Sequence, residues 1–545
     1  MEEGQLTTDS PVEAQLPDHI AGLMEPDAYP HPVEHVELIQ THISYLLMAG
    51  DMVYKLKKPL DLGFLNFTTL RRRHYYCRQE VELNRRLCGA TYLGVVPITR
   101  QGERYRIGGR GNVIDYAVNM RRLPDDLMMD RLLAEGRLKP EMLDRLADKI
   151  ARFHAISATG PSIERFGSAA TIERNWRENF DQTRPFVGRT LSSWQAAFLE
   201  ASALAFLTRH RQGFVERVRA GYIRDCHGDL RASAVCFTDD ICVYDCIEFN
   251  RRFRYADVAS EVAFLAMDLD RRGRPDLAER FVAGYEQATG DEGMRRVLNF
   301  YKCYRAYVRG KVNSFQLDEP EIAAAAKASA RTSARHCFEL ACRYAAGDRP
   351  SILIIMTGLS GTGKSAVANA LASKRELRAI SSDAVRKELA GISEVDHRYD
   401  AYERGIYSRE FTQRTYAALL DRASSLLSEG QSVILDATFQ RREWREQALD
   451  LACRLGALVF CIETVADESV VRERLAARED DEAAISDARW ETYVSQASRF
   501  EPVTELSDWQ HIRLDTGQPL DDVVANAMNA LVARLQPVAP DDDDA

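Results

Sequence analysis

Residues 351–365 read SILIIMTGLSGTGKS and run on into AVANALASK. A short apolar run of this kind makes a buried parallel strand, and the alanine-rich segment after it starts a helix. Between them lies GLSGTGKS, a GxxxxGK[ST] pattern in the strand–loop–helix setting that gives the pattern its meaning. Gly358, Gly361 and Gly363 allow a backbone bend whose N–H groups turn inward, with Ser360 and Thr362 filling the positions between. The helix N-terminus adds its positive dipole end at the same place. The bend is therefore expected to cradle the phosphates of ATP, with Lys364 on the β- and γ-phosphates and the Ser365 hydroxyl on Mg2+.

Four further strands are expected downstream. LRAIS leads to Asp383, at the strand end where open α/β sheets bind ligands. Asp383 could instead cap the next helix. Arg386 would lie in the first turn of that helix, a position the dipole disfavours for a cation and so one suggesting an anionic partner. SVILDATF, 432–439, ends in Asp436, where a carboxylate supports the metal. ALVFCIETV and HIRLDTG supply the last two strands. Between these, Arg474 and Arg478 share one helix face, and Arg489 follows an acidic stretch with the character of a lid. Arginines there would neutralise charge on a transferring phosphoryl group, or simply form a solvated face. Strands and helices alternate throughout 351–537, which implies an α/β domain with a parallel sheet.

GLSGTGKS, SSDAVRKEL, VILDATF and RLAAR…SDAR together resemble the small P-loop kinases allied to polynucleotide kinase and zeta-toxin kinases. The resemblance implies that Asp383 acts as general base on the acceptor hydroxyl and that Arg386 helps to bind acceptor or phosphate.

The N-terminal body, 31–345, has strands first, then helices, with a strand-rich patch around 223–250. HISYLLMAGDMVYKLKKP reads as a hairpin turning at AGD. In its second strand Val53, Lys55 and Lys57 share one face, while Met52, Tyr54 and Leu56 share the other. In the helical segment that follows, Tyr76, Glu80, Leu83 and Leu87 make one stripe, whereas Glu82 points to the arginine-rich side. Glu80 is a carboxylate on a largely apolar face and needs a buried partner. Lys55 is the first choice for it and Lys57 the alternative.

RDCHGDLRASAVCF and ICVYDCIEF resemble the catalytic loop and metal-binding strand of aminoglycoside phosphotransferases and related kinase-like enzymes. The resemblance implies an α+β, bilobal kinase-like domain. In it Asp229 receives the acceptor proton, Asp245 holds Mg2+, Lys55 and Glu80 form the phosphate-positioning pair, and Asp257 braces the catalytic loop. As a plainer alternative, Asp257 is an N-cap. The family pattern HGDLHxxN is broken, because Ala234 stands where a metal-binding asparagine would. An active kinase and a nucleotide-binding pseudokinase both remain open for this domain.

A chain of 545 residues exceeds a single core. The expected organisation is a loose arm over 1–30, the kinase-like domain over 31–345, the P-loop domain over 351–537 and an acidic tail over 538–545. The seam falls near AAGDRPS. The whole resembles two-domain bacterial proteins in which an aminoglycoside phosphotransferase-like domain is fused to a P-loop ATPase or kinase. A net charge of -10 gives no general attraction to nucleic acid or acidic membranes. With no signal peptide or long apolar run, a cytoplasmic location is expected, and the 11 cysteines are expected to be free thiols. The implied activity is ATP- and Mg2+-dependent phosphoryl transfer to a hydroxyl on a small molecule or a 5′-hydroxyl nucleic acid. The alternative is an ATP-binding regulatory protein with a pseudokinase recognition module.

Overall fold

The computed structural model describes residues 16–320, 322–347, 350–375, 377–392, 405–479 and 489–535, leaving aside the side chains of residues 375, 478 and 479. Arg478 and the acidic tail therefore lie outside the described side chains and residues.

Six strands, β1 (Val36–Gln40), β2 (Ser44–Ala49), β3 (Met52–Lys57), β4 (Tyr92–Gln101), β5 (Arg104–Ile107) and β6 (Asn112–Arg121), form an antiparallel sheet ordered β1-β2-β3-β6-β4-β5. Alternation along β3 sends Tyr54 and Leu56 to one face and Val53 to the other. Ile20, Leu23 and Tyr29 pack on the first face, so residues 16–30 are not the loose arm expected. Ile20 and Leu23 are fully buried there, and leaving them in water would expose that face of the sheet as well. The helix Leu70–Cys88 covers the second face through Cys77 and Val81. Thr69 caps it, its side chain accepting from the Arg72 N–H.

The second lobe is mainly helical. Two small ribbons frame its loops: β7 (Ile223–Asp225) pairs with β10 (Tyr255–Asp257), and β8 (Val235–Cys236) with β9 (Cys242–Val243). Not all cysteines are free thiols: Cys88, at the end of the Leu70–Cys88 helix, is disulfide-bonded to Cys242. Pairing between residues 154 apart in sequence leaves no local signal, and only the packing of that helix on β9 brings them together. The other nine are free and, apart from half-buried Cys453, buried.

The long helix Ala324–Ala346 stops at Gly347, whose φ of +82° suits glycine, and the P-loop domain begins at Ile352. Its five strands, β11 (Ile352–Thr357), β12 (Arg378–Ser381), β13 (Val433–Asp436), β14 (Leu458–Val465) and β15 (His511–Asp515), are all parallel and ordered β12-β13-β11-β14-β15. Leu353, Ile355 and Met356 of the central β11 are fully buried because helices cover both faces. One apolar core runs through both domains, from Phe198 and Phe338 to Leu449 and Phe460. Polar contacts pin the seam: Trp194 Nε1 donates to the Leu449 carbonyl at 3.1 Å, and Ser192 Oγ to Gln510 Oε1 at 3.1 Å. Among the described residues no helix is long and apolar enough to cross a membrane.

Candidate active site

The P-loop domain gathers its polar groups at the C-terminal edge of the parallel sheet. Parallel register puts Asp436 beside Met356 on one side and Ser381 on the other. Asp436 thus lies between the start of the glycine-rich loop and the approach to Asp383. Gly358, Gly361 and Gly363 have φ of +133°, +84° and +87°. Space as well as conformation demands glycine. A Cβ on Gly358 would lie 2.5 Å from the Thr464 carbonyl oxygen, and one on Gly361 2.8 Å from the Val471 side chain. The loop is thus a tight bend packed against Thr464 and Val471, with no room for side chains at these glycines. Thr362 ties it down, donating to the Leu359 carbonyl and meeting Thr464 Oγ1 at 2.7 Å. Lys364 is buried and donates to the Leu359 carbonyl at 2.8 Å, while Ser365 is exposed at the start of the helix Lys364–Arg375.

The helix after β12, Ser382–Leu389, is capped by the Ser381 hydroxyl, so Asp383 is not the cap. Asp383 lies in the first turn, half-buried, its carboxylate favoured by the helix dipole. Arg386 is not in that first turn as expected, since the helix is capped at Ser381 rather than Asp383, two residues earlier, and Arg386 falls near its end. It is buried, donates to the Ile406 carbonyl at 2.8 Å and stacks over Tyr407 at 4.9 Å. Among the described residues its Nε has no hydrogen-bond partner.

Of the expected lid arginines, Arg474 reaches the loop. It donates to Thr516 Oγ1 at 3.0 Å and to the Thr516 carbonyl at 2.6 Å, and its Nη1 lies 3.5 Å from where a Gly363 Cβ would be. Arg489 is exposed at the N-terminus of the helix Trp490–Ala497. That same helix supplies a contact the sequence did not disclose: Gln496, buried, accepts the Ser360 backbone N–H through Oε1 at 2.8 Å. A lone glutamine inside a polar helix carries no local mark of this role.

In the kinase-like domain both lysines of β3 serve one carboxylate. Lys55 Nζ lies 2.8 Å from Glu80 Oε1, and Lys57 Nζ donates to Glu80 Oε2 at 2.7 Å. Lys55 goes on to Asp245 Oδ1 at 2.6 Å, and Lys57 to Glu248. The two choices thus divide: Lys55 faces Asp245, and Lys57 is locked inside, its ammonium 4.9 Å over the Phe67 ring. Burial opposes the Lys55 charge, yet Asp245 and then Glu80 raise its pKa well above the ordinary lysine value. Lys55 in turn lowers Asp245 to about 2. Asp245 opens onto solvent in the left-handed region, φ +65°, rare for a non-glycine residue and a local strain held by its surroundings.

The HGD loop is braced, though not by Asp257. That carboxylate takes Arg217 at 2.6 and 2.8 Å and caps the helix Val258–Arg271 through the Ala259 N–H. One helical turn later, Glu261 accepts the His227 N–H at 2.9 Å and the Gly228 N–H at 2.6 Å. Burial resists ionisation of Glu261, but His154, at 2.9 Å, and the loop donors hold its pKa down at about 2. Cys226 completes a buried trio with His154 and Glu261, whose ligand-type atoms lie within 4.8 Å of one another. Both His154 nitrogens are already taken, by Tyr285 and Glu261, so the trio supports the loop. Asp229 itself is held by Arg231 at 3.0 and 2.7 Å, a bidentate pair formed inside the loop. Ala234 is buried and offers no metal-binding atom. Asp245 is therefore the carboxylate of this loop pair that could hold a metal, since both oxygens of Asp229 are taken by Arg231.

Two stretches of the chain match protein families. Residues 77–298 match the Phosphotransferase enzyme family and residues 353–503 match an AAA domain family. Among solved structures, a gluconokinase from Sinorhizobium meliloti is 23% identical, covering 34% of this chain and 93% of its own, with a TM-score of 0.25. A putative kinase from Chloroflexus aurantiacus is 23% identical, covering 34% and 99%, with a TM-score of 0.28. Uncharacterized proteins of Mycobacterium tuberculosis and Mycobacterium bovis are each 31% identical over 505 residues, which is 91% of this chain and 96% of theirs. The chain therefore belongs to the family of these mycobacterial proteins, with a phosphotransferase-type kinase-like domain ahead of a P-loop AAA domain.

Proposed function

We propose that the chain is an ATP- and Mg2+-dependent phosphotransferase acting on a hydroxyl, with its main chemistry in the P-loop domain. The observation that carries this reading is the meeting of the glycine cradle, Lys364, Ser365, Asp436 and Asp383 at one sheet edge. Lys364 and the inward N–H groups take the charge of the donor phosphates. Ser365, with Asp436 in support, would hold magnesium, which would supply further neutralisation of phosphate charge. Asp383, half-buried and without a capping duty, accepts the proton of the acceptor hydroxyl. Arg474, Arg478 and Arg489 stabilise charge on the phosphoryl group in transit. A small molecule and a 5′-hydroxyl nucleic acid are both compatible acceptors. Little covalent work is asked of the protein, because positioning and electrostatics dominate phosphoryl transfer.

Asp383→Asn tests the assignment. Phosphoryl transfer should fall by ~10²–10⁴ while ATP affinity stays unchanged. An unchanged transfer rate would remove Asp383 as the base.

A second reading treats the chain as an ATP-driven regulatory protein whose kinase-like domain recognises a partner. Ala234 and the occupied Asp229 carboxylate favour it for that domain. Asp383 favours the enzyme for the other, since a pure switch needs no acceptor base.

A further inference from the structure

The surroundings of Asp229 carry more positive charge than a proton-accepting carboxylate needs. Both its oxygens are bound by Arg231, at 3.0 and 2.7 Å. A second arginine approaches from the helix Arg295–Phe315. There Arg305 donates to the Gly228 carbonyl at 3.1 Å and to the Ser260 carbonyl at 3.2 Å, so this helix face lies along the HGD loop. Arg309 is one turn further on the same face, where it feels the charges of Arg231 and Asp229. Among the described residues Arg309 has no hydrogen-bond or ion-pair partner, although it is half-buried. Burial, and then the Arg231 charge, pull its pKa below the ordinary arginine value. One guanidinium thus holds the carboxylate, and among the described residues the donors of the second are unused. Partly buried charge without a counter-charge is costly, and a bound anion offsets that cost.

The same loop has lost a means of holding positive charge. With Ala234 in place of an asparagine, the loop offers one fewer side-chain oxygen for a metal ion, while Arg231 brings cationic charge to Asp229.

We propose that Arg231 and Arg309 form a binding site for a phosphate-type oxyanion beside Asp229, and that an arriving anion draws Arg231 away and frees the carboxylate. Arginine forks match tetrahedral oxyanions with paired hydrogen bonds, which suits them to this exchange. The base is thereby masked until the anion is present. The anion is either a phosphate carried by the acceptor or the terminal phosphoryl group of the nucleotide. A polycationic acceptor such as an aminoglycoside is repelled by the same pair. The proposal rests on the kinase-like reading of the N-terminal domain and is independent of the P-loop chemistry.

The test is calorimetric titration of inorganic phosphate into the full-length Lys364→Ala protein, in which anion binding at the P-loop is weakened. Phosphate should bind, and adding Arg309→Gln should weaken it at least about tenfold, with Arg309→Lys retaining part of the affinity. Repeating the titration with saturating ADP and with a non-hydrolysable ATP analogue separates the sources. Binding that survives the ATP analogue assigns the site to the acceptor; binding that survives ADP alone assigns it to the nucleotide's terminal phosphate. Absence of phosphate binding, or equal binding with and without Arg309→Gln, overturns the proposal. If the variants do not fold, phenylglyoxal labelling of the Lys364→Ala protein replaces them. Phosphate should protect Arg231 and Arg309 from modification, and equal labelling with and without phosphate overturns the proposal equally. Failure here leaves the Asp383 assignment untouched, since that is tested by transfer in the other domain.

Discussion

Glu80 and Glu261 each organise a neighbourhood with a single carboxylate. Glu80 spans Lys55 and Lys57, and Glu261 ties His154 to the backbone of the HGD loop. For Glu261 the folded pKa, about 2, lies below the ordinary 4.5. The ionised form is therefore favoured by folding, and its contribution is complete above pH ~4.5 and lost as pH falls toward ~2. The size is about 3 kcal/mol. In urea titrations at pH 7 and pH 3, Glu261→Gln should flatten the loss of stability seen for the wild type; an unchanged pH dependence would contradict this. Gln496 is the residue-scale feature of the other domain. Removing it leaves the Ser360 N–H unpaired in the nucleotide-free protein, at a cost of about 1–3 kcal/mol. Phosphate can satisfy that N–H again. Gln496→Ala should lower the melting temperature of the nucleotide-free chain and enlarge the rise on adding ATP. An equal rise in both proteins would show that Gln496 does not share the site.

At the scale of elements, periodicity was informative where one face of an element is buried. Period-two alternation placed Lys55 and Lys57 opposite Tyr54 and Leu56, and the helical stripe placed Glu80 inward and Glu82 outward. The GxxxxGK[ST] pattern was legible because its strand and helix flank it without interruption. Alternation could not separate Lys55 from Lys57, since both share a face and only the third dimension assigns Asp245 to one and Glu248 to the other. Of the two roles open to Asp257, brace or N-cap, the structure shows the N-cap, and Glu261, one turn along, holds the loop. The helix start at Ser381 rather than Asp383 moved Arg386 from the first turn to the last. The Cys88–Cys242 bond and the packing of residues 16–30 on the sheet are long-range outcomes that no local pattern encodes.

For the whole molecule, the continuous core and the Trp194–Leu449 and Ser192–Gln510 contacts make the seam between domains more like an interior than a linker. Calorimetric unfolding should accordingly give one cooperative transition. Trp194→Ala, which opens a cavity worth about 3–5 kcal/mol at the seam, should split it in two. Two transitions already present in the wild type would contradict this coupling. The coupling gives nucleotide binding in one domain a physical route to the other. The most direct measurement is ATP–Mg2+ binding stoichiometry by calorimetry on the wild type and on Lys364→Ala. The wild type should bind one more equivalent than the variant, whether or not the kinase-like domain holds a nucleotide of its own. A variant that matched the wild type in stoichiometry and affinity would contradict a nucleotide site at the P-loop.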